Sequence, residues 1–317
     1  MTTFLKPFPA TMNAEHGADK ERTVTKDESW TIFKKYIDEH HPDLNTKKAL
    51  EPLSLKRTPI ISYGIIEFFT GLNDKEEKCA YYHLFRRRNT VEYELLIRGC
   101  FHMSQLYDLL SLISQDERER ILNNEWEDLW EDMWINPEAG SYQSVTARSK
   151  RHFPKVKEVL QLLDEHLVLK IPERSFIFPK GRPEPKESGW EAALREAQEE
   201  TRHSYKEGSL YFNSPIVQHF IGSDNNPYTD AYYVWRTNGY YKSDQYELEE
   251  NTSPRPRLRN KSISSELESD VWLEIPIFTN NQERMEWINS IDPYYTFNVF
   301  RRHFLAIMEI HNHLCIT

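Results

Sequence analysis

This chain of 317 residues has few cysteines, no long apolar run and no excess of positive charge. Its three cysteines, Cys79, Cys100 and Cys315, are widely scattered, which argues against a disulfide framework or a zinc ribbon and favours a reducing compartment. No segment has the ~20 apolar residues that would cross a bilayer, and the first residues lack the apolar core of a signal peptide. We therefore expect a soluble, cytoplasmic protein without a membrane partner.

The formal net charge of −10 argues against a generic nucleic-acid binder, whose affinity depends on neutralising phosphates. Three local basic runs could nevertheless form a surface that follows a phosphate backbone. They are Arg86, Arg87 and Arg88; Arg148, Lys150, Arg151, His152, Lys155 and Lys157; and Arg255, Arg257, Arg259 and Lys261. Each run alone is more often a solvated face or a loop, but together they keep RNA binding open.

The most informative segment of the chain runs from position 181 to position 200. Ser188 followed by Glu191 is a capping-box pattern, which predicts a helix from about position 188 to position 203. Apolar residues recur there at three- and four-residue intervals and form one stripe that can pack on a sheet. The segment therefore predicts a turn followed by an amphipathic helix.

Three carboxylates lie off this apolar stripe. Glu196 and Glu200 are one helical turn apart and Glu199 is three residues after Glu196, so the spacing predicts that all three converge on one point. Such a cluster is costly without a cation, and carboxylate oxygens are the ligands that Mg²⁺ or Mn²⁺ prefers. The alternative is a solvated helix face, which the spacing back to Gly181 and Glu187 disfavours.

The segment resembles the Nudix box, which reads glycine, five residues, Glu, seven residues, Arg-Glu, an apolar residue, any residue, Glu-Glu. The matching positions are Gly181, Glu187, Arg195, Glu196, Ala197, Glu199 and Glu200. The family usually has a glycine two residues after the last Glu, and Arg202 stands there instead. This departure puts the exit of the helix in doubt but removes no metal ligand.

The resemblance implies an α+β fold, a Nudix α/β/α sandwich with a mixed sheet, and a role for each matching residue. Glu196 and Glu200 would bind the metal, Glu199 would bind it or hold metal-bound water, and the carbonyl of Gly181 would add a backbone oxygen. Arg195 and Glu187 would brace the loop against the helix by an ion pair. Lys180 either reaches a phosphate or is an ordinary surface lysine.

An additional base is expected, because Mg²⁺ lowers the pKa of bound water less than zinc does, and the family resemblance implies that it lies outside the box. The acidic segment from Ser264 to Trp272 resembles the one that supplies a late glutamate in decapping members of the family. Glu266 matches that position best and is favoured over Glu268, and an ordinary acidic loop is the alternative. The predicted catalytic residues are therefore Glu199, Glu200 and Glu266.

Periodicity divides the chain into four parts. They are a polar N-terminal arm with a short helix (residues 1–57), a first Nudix part (58–98), an all-α insertion (99–170) and a second Nudix part (171–317) with the box at 181–203. Alternating patterns predict a hairpin from strands at 60–69 and 80–86, and further strands at 175–178, 216–221, 231–236 and 271–275. Helical periods predict one helix after Ser114 that carries Trp126, Trp130 and Trp134, and another at the C terminus.

The insertion and the basic runs around the box resemble the mRNA-decapping Nudix enzymes of large cytoplasmic DNA viruses, of the African swine fever virus and mimivirus type. That resemblance covers residues from about 60 onward and implies release of 7-methylguanosine diphosphate from capped mRNA, leaving 5′-monophosphate RNA. For a viral protein it further implies host shutoff in the cytoplasm of the infected cell. The expected phosphate or RNA contacts are Lys180, Arg86, Arg88, Arg148, Lys150, Arg151, Lys155 and Lys157.

Several alternatives stay open at this point. The substrate could instead be a diphosphoinositol polyphosphate or a dinucleoside polyphosphate, or the protein could be a non-catalytic RNA-binding Nudix module. The tryptophans of the insertion could stack on the cap, although their helical spacing favours core packing. The number of metal ions, the role of the arm and the choice between a monomer and a homodimer are likewise open.

Overall fold

The computed structural model describes residues 4–5, 26–40, 58–133, 143–163, 175–201, 205, 207–224, 226–238, 267–290 and 303–316. The strands are β1 (Phe4–Leu5), β2 (Ile60–Leu72), β3 (Lys78–Arg87), β4 (Phe176–Ile177), β5 (Lys180–Gly181), β6 (Ser209–Leu210), β7 (Ile216–Ile221), β8 (Pro227–Arg236) and β9 (Leu267–Pro276). The helices are α1 (Lys26–His40), α2 (Val91–Ile97), α3 (Leu106–Ser111), α4 (Gln115–Asn123), α5 (Trp126–Met133), α6 (Gln143–Leu163), α7 (Gly189–Thr201), α8 (Asn281–Ser290) and α9 (His303–Ile316), with a short 3₁₀ helix at Met103–Gln105.

All nine described strands belong to one mixed sheet, in the order β1-β9-β3-β2-β8-β6. Strand β4 pairs with β3, β5 pairs with β2, and β7 pairs with β8. The β1–β9 and β2–β8 pairs are parallel, whereas the other pairs are antiparallel. The mixed sheet that the sequence predicts is therefore confirmed.

The hairpin of β2 and β3 opens partway along its length. At its tip the Asn73 Oδ1 atom accepts hydrogen bonds from two turn amides. The ladder runs from the Leu72–Lys78 pair to the Phe68–Tyr82 pair. Beyond it the two strands diverge, and β4 and β5 pair with β3 and β2 respectively. The segment that leads to position 181 thus enters near the middle of the sheet.

The two faces of the sheet are covered by different helices. Ile65 packs against Ala193 and Ala197 of α7, whereas Ile66, the next residue of the same strand, belongs to the cluster that contains Ile307 of α9. Consecutive residues of a strand point to opposite faces, so α7 and α9 cover opposite faces. This is the α/β/α sandwich of the predicted α+β fold.

A second hydrophobic cluster joins helices α1 to α6 into a helical layer. Within it the buried Glu117 accepts hydrogen bonds from the amide of Ser114 at 2.9 Å and from the amide and hydroxyl of Thr90 at 2.6 and 2.8 Å. The first contact belongs to a capping box at the start of α4. The other two fix α4 to the start of α2, because Thr90 also caps α2 through the amide of Tyr93.

The tryptophans of this layer pack in its core. Trp126 and Trp130 are 7% and 4% exposed and stack on each other with ring centroids 5.1 Å apart. Core packing is therefore confirmed for these two residues, and the cap-stacking alternative is wrong for them. Trp134 lies outside the described residues.

Several predicted boundaries differ from the structure. The single helix expected after Ser114 is divided, because Asn124 takes an extended conformation and closes α4. The predicted polar arm contributes a strand as well as a helix, because β1 pairs with Trp272 and Leu273 of β9. Strand β9 begins at Leu267 rather than at position 271. The four-part division of the chain itself remains a prediction.

Candidate active site

The predicted box folds as a turn followed by helix α7. The amide of Ser188 donates to the Glu191 carboxylate at 2.8 Å and the amide of Glu191 donates to the Ser188 hydroxyl at 3.3 Å, which confirms the capping box. Before it, Lys186 has a φ of 76°, a left-handed backbone conformation that residues other than glycine rarely adopt. At the helix start, a Cβ atom on Gly189 would lie 2.5 Å from the Tyr63 ring. The start of α7 therefore lies directly on the sheet.

Arg195 braces the turn against α7, as the family resemblance implies. Its Nε and Nη2 atoms donate to the two oxygens of Glu187 at 2.9 and 3.0 Å, and Nη2 also donates to the carbonyl of Arg182 at 2.9 Å. The hydrogen bonds from Arg195 lower the pKa of Glu187. A bidentate pair of this kind fixes orientation as well as distance, so the turn and the helix are held as one unit.

The same guanidinium group also contacts two predicted metal ligands. Its Nη1 atom donates to Glu196 at 2.8 Å and lies 3.3 Å from a Glu199 oxygen. The Glu196 side chain is 18% exposed, whereas that of Glu199 is 62% exposed. Arg195 therefore neutralises part of the carboxylate charge on this face.

Gly181 and Glu196 approach each other closely. A Cβ atom at position 181 would overlap with the Cδ atom and both carboxylate oxygens of Glu196. Only glycine leaves this space for the carboxylate, so the backbone of the turn lies directly beside it. The physical reason for the box glycine is thus contact with Glu196.

Glu200 lies on the inner side of α7. It is 7% exposed, and its carboxylate accepts a hydrogen bond from the backbone amide of Lys180 at 3.1 Å. Because Glu196 and Glu200 are both largely buried, the alternative of a solvated helix face is wrong for these two residues. Of the three carboxylates, only Glu199 is solvated in this way.

The donor set fits a hard divalent cation in its chemistry. Gly181, Glu196 and Glu200 are brought together, they offer oxygen ligands, and no side chain separates the glycine backbone from the Glu196 carboxylate. Within the described ranges, however, no three His, Cys, Asp or Glu side chains are grouped so as to hold one ion. The expected convergence is not seen because Arg195 contacts Glu196 and Glu199 while Glu200 faces an amide. Glu196, Glu199, Glu200 and the Gly181 carbonyl remain the predicted ligands.

Lys180 is held by a residue that the sequence did not indicate. Its ammonium group lies 2.8 Å from Asp230, whose side chain is fully buried. Gly64 makes this possible, because a Cβ atom there would come within 2.7 Å of the Lys180 Cβ atom. Asp230 sits inside a strand pattern with no local signal of function. The structure thus gives Lys180 an internal partner, and its contact with a phosphate stays a prediction.

Two aromatic rings stack at the end of the sheet that carries the β7–β8 turn. Phe220 and Tyr228 lie with ring centroids 5.4 Å apart and planes 9° apart, and both are half-buried. The Tyr228 hydroxyl donates to Asp224 at 2.8 Å. Burial and this hydrogen bond raise the pKa of Tyr228 to about 12, against the opposing charge of Arg182 in the box turn. Tyr228 pairs with Ile60 of β2 and Gly181 pairs with Tyr63 of the same strand, so the aromatic pair lies near the box.

The first basic run is directed into the protein. Arg88 forms an ion pair with Asp132 at 2.7 Å, Arg87 forms one with Glu94 at 2.7 Å, and the Arg86 guanidinium lies over the Phe176 ring. These contacts join the sheet to the helical layer. The predicted RNA contacts of Arg86 and Arg88 therefore compete with internal partners.

The second basic run lies on α6 and is mostly at the surface, with Arg148, Lys150, Arg151 and Lys155 exposed. Burial lowers the pKa of His152, and the charges of Lys155, Arg148 and Arg151 lower it further. These three cations therefore lie close enough to His152 to act on its charge. Lys150 pairs with Glu127, and Lys157 contacts Glu125 and the carbonyl of Asn124, so these two have local partners.

Two groups of predicted residues cannot be placed. Glu266, the preferred base, lies outside the described residues, as do the basic residues at 255–261. Position 268 belongs to strand β9 rather than to a loop. The role of Glu266 therefore stays a prediction. Arg202, where the family has glycine, also lies outside the described ranges.

The model of the NUDIX domain matches residues 157–263 of the chain, a range that includes the whole box. The chain therefore contains a Nudix domain. No curated protein matches the sequence.

Several solved structures show some similarity to the chain. A C. elegans Ap4A hydrolase in a binary complex aligns with 79% of this chain and 98% of its own, at 11% identity and a TM-score of 0.32. A MutT protein from Methanosarcina mazei Go1 aligns with 82% and 99%, at 14% identity and a TM-score of 0.29. A NUDIX hydrolase from Nitrosomonas europaea aligns with 81% and 90%, at 10% identity and a TM-score of 0.29.

Proposed function

We propose that this protein is a metal-dependent Nudix pyrophosphohydrolase that removes the 5′ cap of mRNA, releasing 7-methylguanosine diphosphate and 5′-monophosphate RNA. The observation that carries the hydrolase part is the box itself. Arg195 holds Glu187, Glu196 and Glu199 in one hydrogen-bonded unit, with Glu196 against Gly181. A protein that only binds RNA has no need of such a costly set of carboxylates.

The residues of the box bind and orient rather than react. A bound Mg²⁺ or Mn²⁺ ion would supply neutralisation of phosphate charge and a more acidic water. Glu196, Glu199 and Glu200 would hold the ion, and the Arg195–Glu187 pair keeps the turn in place beside it. Glu266 is the proposed base. Pyrophosphate cleavage needs this positioning because the substrate carries its negative charge into the site.

The stacked pair of Phe220 and Tyr228 supports a substrate that contains a nucleobase. Aromatic side chains hold single bases by stacking, and a base would stack on this half-buried pair near the box. The positive charge of Arg182, which acts on Tyr228, would lie beside the phosphates that follow the base. We therefore place the cap guanine on this aromatic pair.

The exposed face of α6 supports RNA as the body of the substrate. Arg148, Arg151 and Lys155 lie together at the surface of an otherwise acidic protein. Such a face would attract a phosphate backbone without reading its sequence. Lys150 and Lys157 would contribute after leaving their partners, and Arg86 and Arg88 would contribute least.

A small substrate such as a dinucleoside polyphosphate is the second candidate, because the aromatic pair would hold its base equally well. A diphosphoinositol polyphosphate lacks a base and gains nothing from that pair. Competition separates these readings: uncapped RNA should inhibit hydrolysis of capped RNA strongly if the α6 face binds RNA. Weak inhibition together with rapid turnover of a dinucleoside polyphosphate would show that RNA is not the substrate.

A further inference from the structure

His83 is a buried histidine whose two ring nitrogens both contact carboxylates. Its Nδ1 atom lies 2.9 Å from Glu67 on β2 and its Nε2 atom lies 2.9 Å from Asp270 on β9. The His83 residue is 1% exposed. Its ring is nearly parallel to that of Trp272, with 4.3 Å between the centroids and 5° between the planes.

The number of protons in this group follows from its geometry. A neutral imidazole has one N–H group and one bare nitrogen, whereas an ionised carboxylate can only accept hydrogen bonds. Two contacts with carboxylates therefore require either an imidazolium or a protonated carboxyl group. Burial alone would lower the pKa of His83, but the hydrogen bonds to Asp270 and Glu67 outweigh burial and raise it. The imidazolium is thus the favoured form.

The charges that act on His83 come from both neighbouring strands. Glu67 faces it from β2 and Asp270 faces it from β9. Trp272 adds an aromatic face, which favours a cation over a neutral ring. On its own strand, His83 is flanked by the uncharged ring of Phe85, and the two ring centroids are 4.4 Å apart. The protonated ring of His83 on β3 therefore links β2 and β9, because it contacts Glu67 on one strand and Asp270 on the other.

The cluster of His83, Glu67 and Asp270 lies where β2 and β3 diverge, a point that we call the fork of the hairpin. The last backbone pair before the fork is Phe68–Tyr82, so Glu67 and His83 are the next residues and are joined by their side chains instead. Immediately beyond them the amide of Ile65 donates to the carbonyl of Pro179 at 3.2 Å, and Phe85 pairs with Ile177. The segment that precedes the box thus lies between the strands right after His83.

We propose that protonated His83 is a positioning residue, which closes the fork and thereby fixes where the segment from Phe176 to Gly181 enters the sheet. That segment carries the Lys180 amide, which bonds to Glu200, and the Gly181 backbone beside Glu196. His83 contacts Glu67 and Asp270, and we infer that its influence reaches Glu196 and Glu200 through the strands. Its effect on turnover rests on the proposed function, whereas its effect on the Lys180 amide does not.

The sign of the pH dependence follows from linkage. Because the folded pKa of His83 is raised above its ordinary value of about 6.5, its contribution to stability is fully present below that ordinary value. The contribution is lost as pH rises through the folded pKa. The fork should therefore loosen on the alkaline side, and kcat for capped RNA should fall there, while KM should change little because the α6 face binds the RNA.

The experiment uses the full chain and the variant Glu67→Gln, which removes one carboxylate charge and keeps the side-chain size. NMR of the His83 ring protons gives its titration, amide exchange gives the protection of Lys180, and cap release gives kcat against pH. We expect the midpoint of the His83 titration, the midpoint of the loss of Lys180 protection and the midpoint of the fall in kcat to move to lower pH together. Asp270→Asn repeats the test from the other strand, and His219→Gln, on an exposed histidine of the same sheet, should move none of them.

Two outcomes would overturn the proposal. In the first, the His83 titration moves but the protection of Lys180 and the alkaline limb of kcat stay where they were, which is the behaviour of a merely structural ion group. In the second, NMR shows that the His83 ring stays neutral over the whole pH range of the titration. If wild-type protein releases no cap, the proposed function has failed, and Lys180 exchange alone decides the positioning role: constant protection across the His83 titration rejects it.

Discussion

The carboxylate of Glu196 lies so close to Gly181 that a Cβ atom at position 181 would overlap with its Cδ and both oxygens. This contact defines the box glycine physically. The glycine is needed for the space it leaves, and the carboxylate that fills this space is a predicted metal ligand.

Replacing Gly181 with alanine should therefore displace Glu196 and reduce activity. A shift of the reacting groups by about 1 Å costs on the order of 100-fold in rate, so we expect kcat for capped RNA to fall by roughly that factor. Mg²⁺ titration should also show weaker binding. Gly71→Ala is the matched control, because a Cβ atom there meets its nearest neighbour at an ordinary 3.6 Å. Equal losses in both variants would contradict the account.

The aromatic pair gives a second prediction. Replacing Tyr228 with leucine removes the ring that would stack on the cap, and stacking contributes about 1–3 kcal/mol per base. We expect KM for capped RNA to rise by about 10-fold or more, measured by initial rates, with little change in the binding of uncapped RNA. Tyr228→Phe keeps the ring and loses only the hydrogen bond to Asp224, so it should behave like wild type. An unchanged KM in the Tyr228→Leu variant would show that the cap guanine does not stack on this pair.

The basic face of α6 gives a third prediction. The double variant Arg151→Gln/Lys155→Gln should weaken RNA binding and reduce the salt dependence of log Kd by about 1.4, since each phosphate contact on single-stranded RNA contributes about 0.7. Lys75→Gln/Lys78→Gln removes two exposed charges from the tip of the β2–β3 hairpin and is the control. Fluorescence anisotropy at several salt concentrations measures both. The same slope in both double variants would show that α6 does not contact RNA.

The helical layer gives a fourth prediction, which concerns stability alone. Glu117→Ala leaves two buried amides and the Thr90 hydroxyl without their acceptor, and we expect a loss of roughly 2 kcal/mol in the free energy of unfolding. Urea denaturation measures it. Glu119→Ala, an exposed position on the same helix, should change stability by less than about 0.5 kcal/mol. Comparable losses would mean that Glu117 does not join α4 to α2.

Features that depend on neighbouring residues could be predicted from the sequence. The Ser188–Glu191 capping box, predicted from its spacing, joins residues three apart, and the Arg195–Glu187 brace, implied by the family resemblance, joins residues eight apart. Local spacing determines such contacts because few alternative partners compete.

Contacts between distant strands could not be predicted in this way. The partner of Lys180 is Asp230, 50 residues away, and the partner of His83 is Asp270, 187 residues away. Which strands become neighbours is decided by the packing of the whole sheet, so no local pattern marks these pairs. Arg88 of the predicted basic run likewise pairs with a distant residue, Asp132 of α5, 44 residues away.

The central claim is that the box cuts capped RNA with the help of a divalent ion held by carboxylates. The most direct measurement follows cap-labelled RNA with the wild-type protein and with Glu200→Gln, each with and without Mg²⁺ or Mn²⁺, together with RNA affinity. We predict metal-dependent release of 7-methylguanosine diphosphate by the wild type, none by the variant, and nearly equal RNA affinity for both. Wild-type product yield from Glu200→Gln would contradict the account.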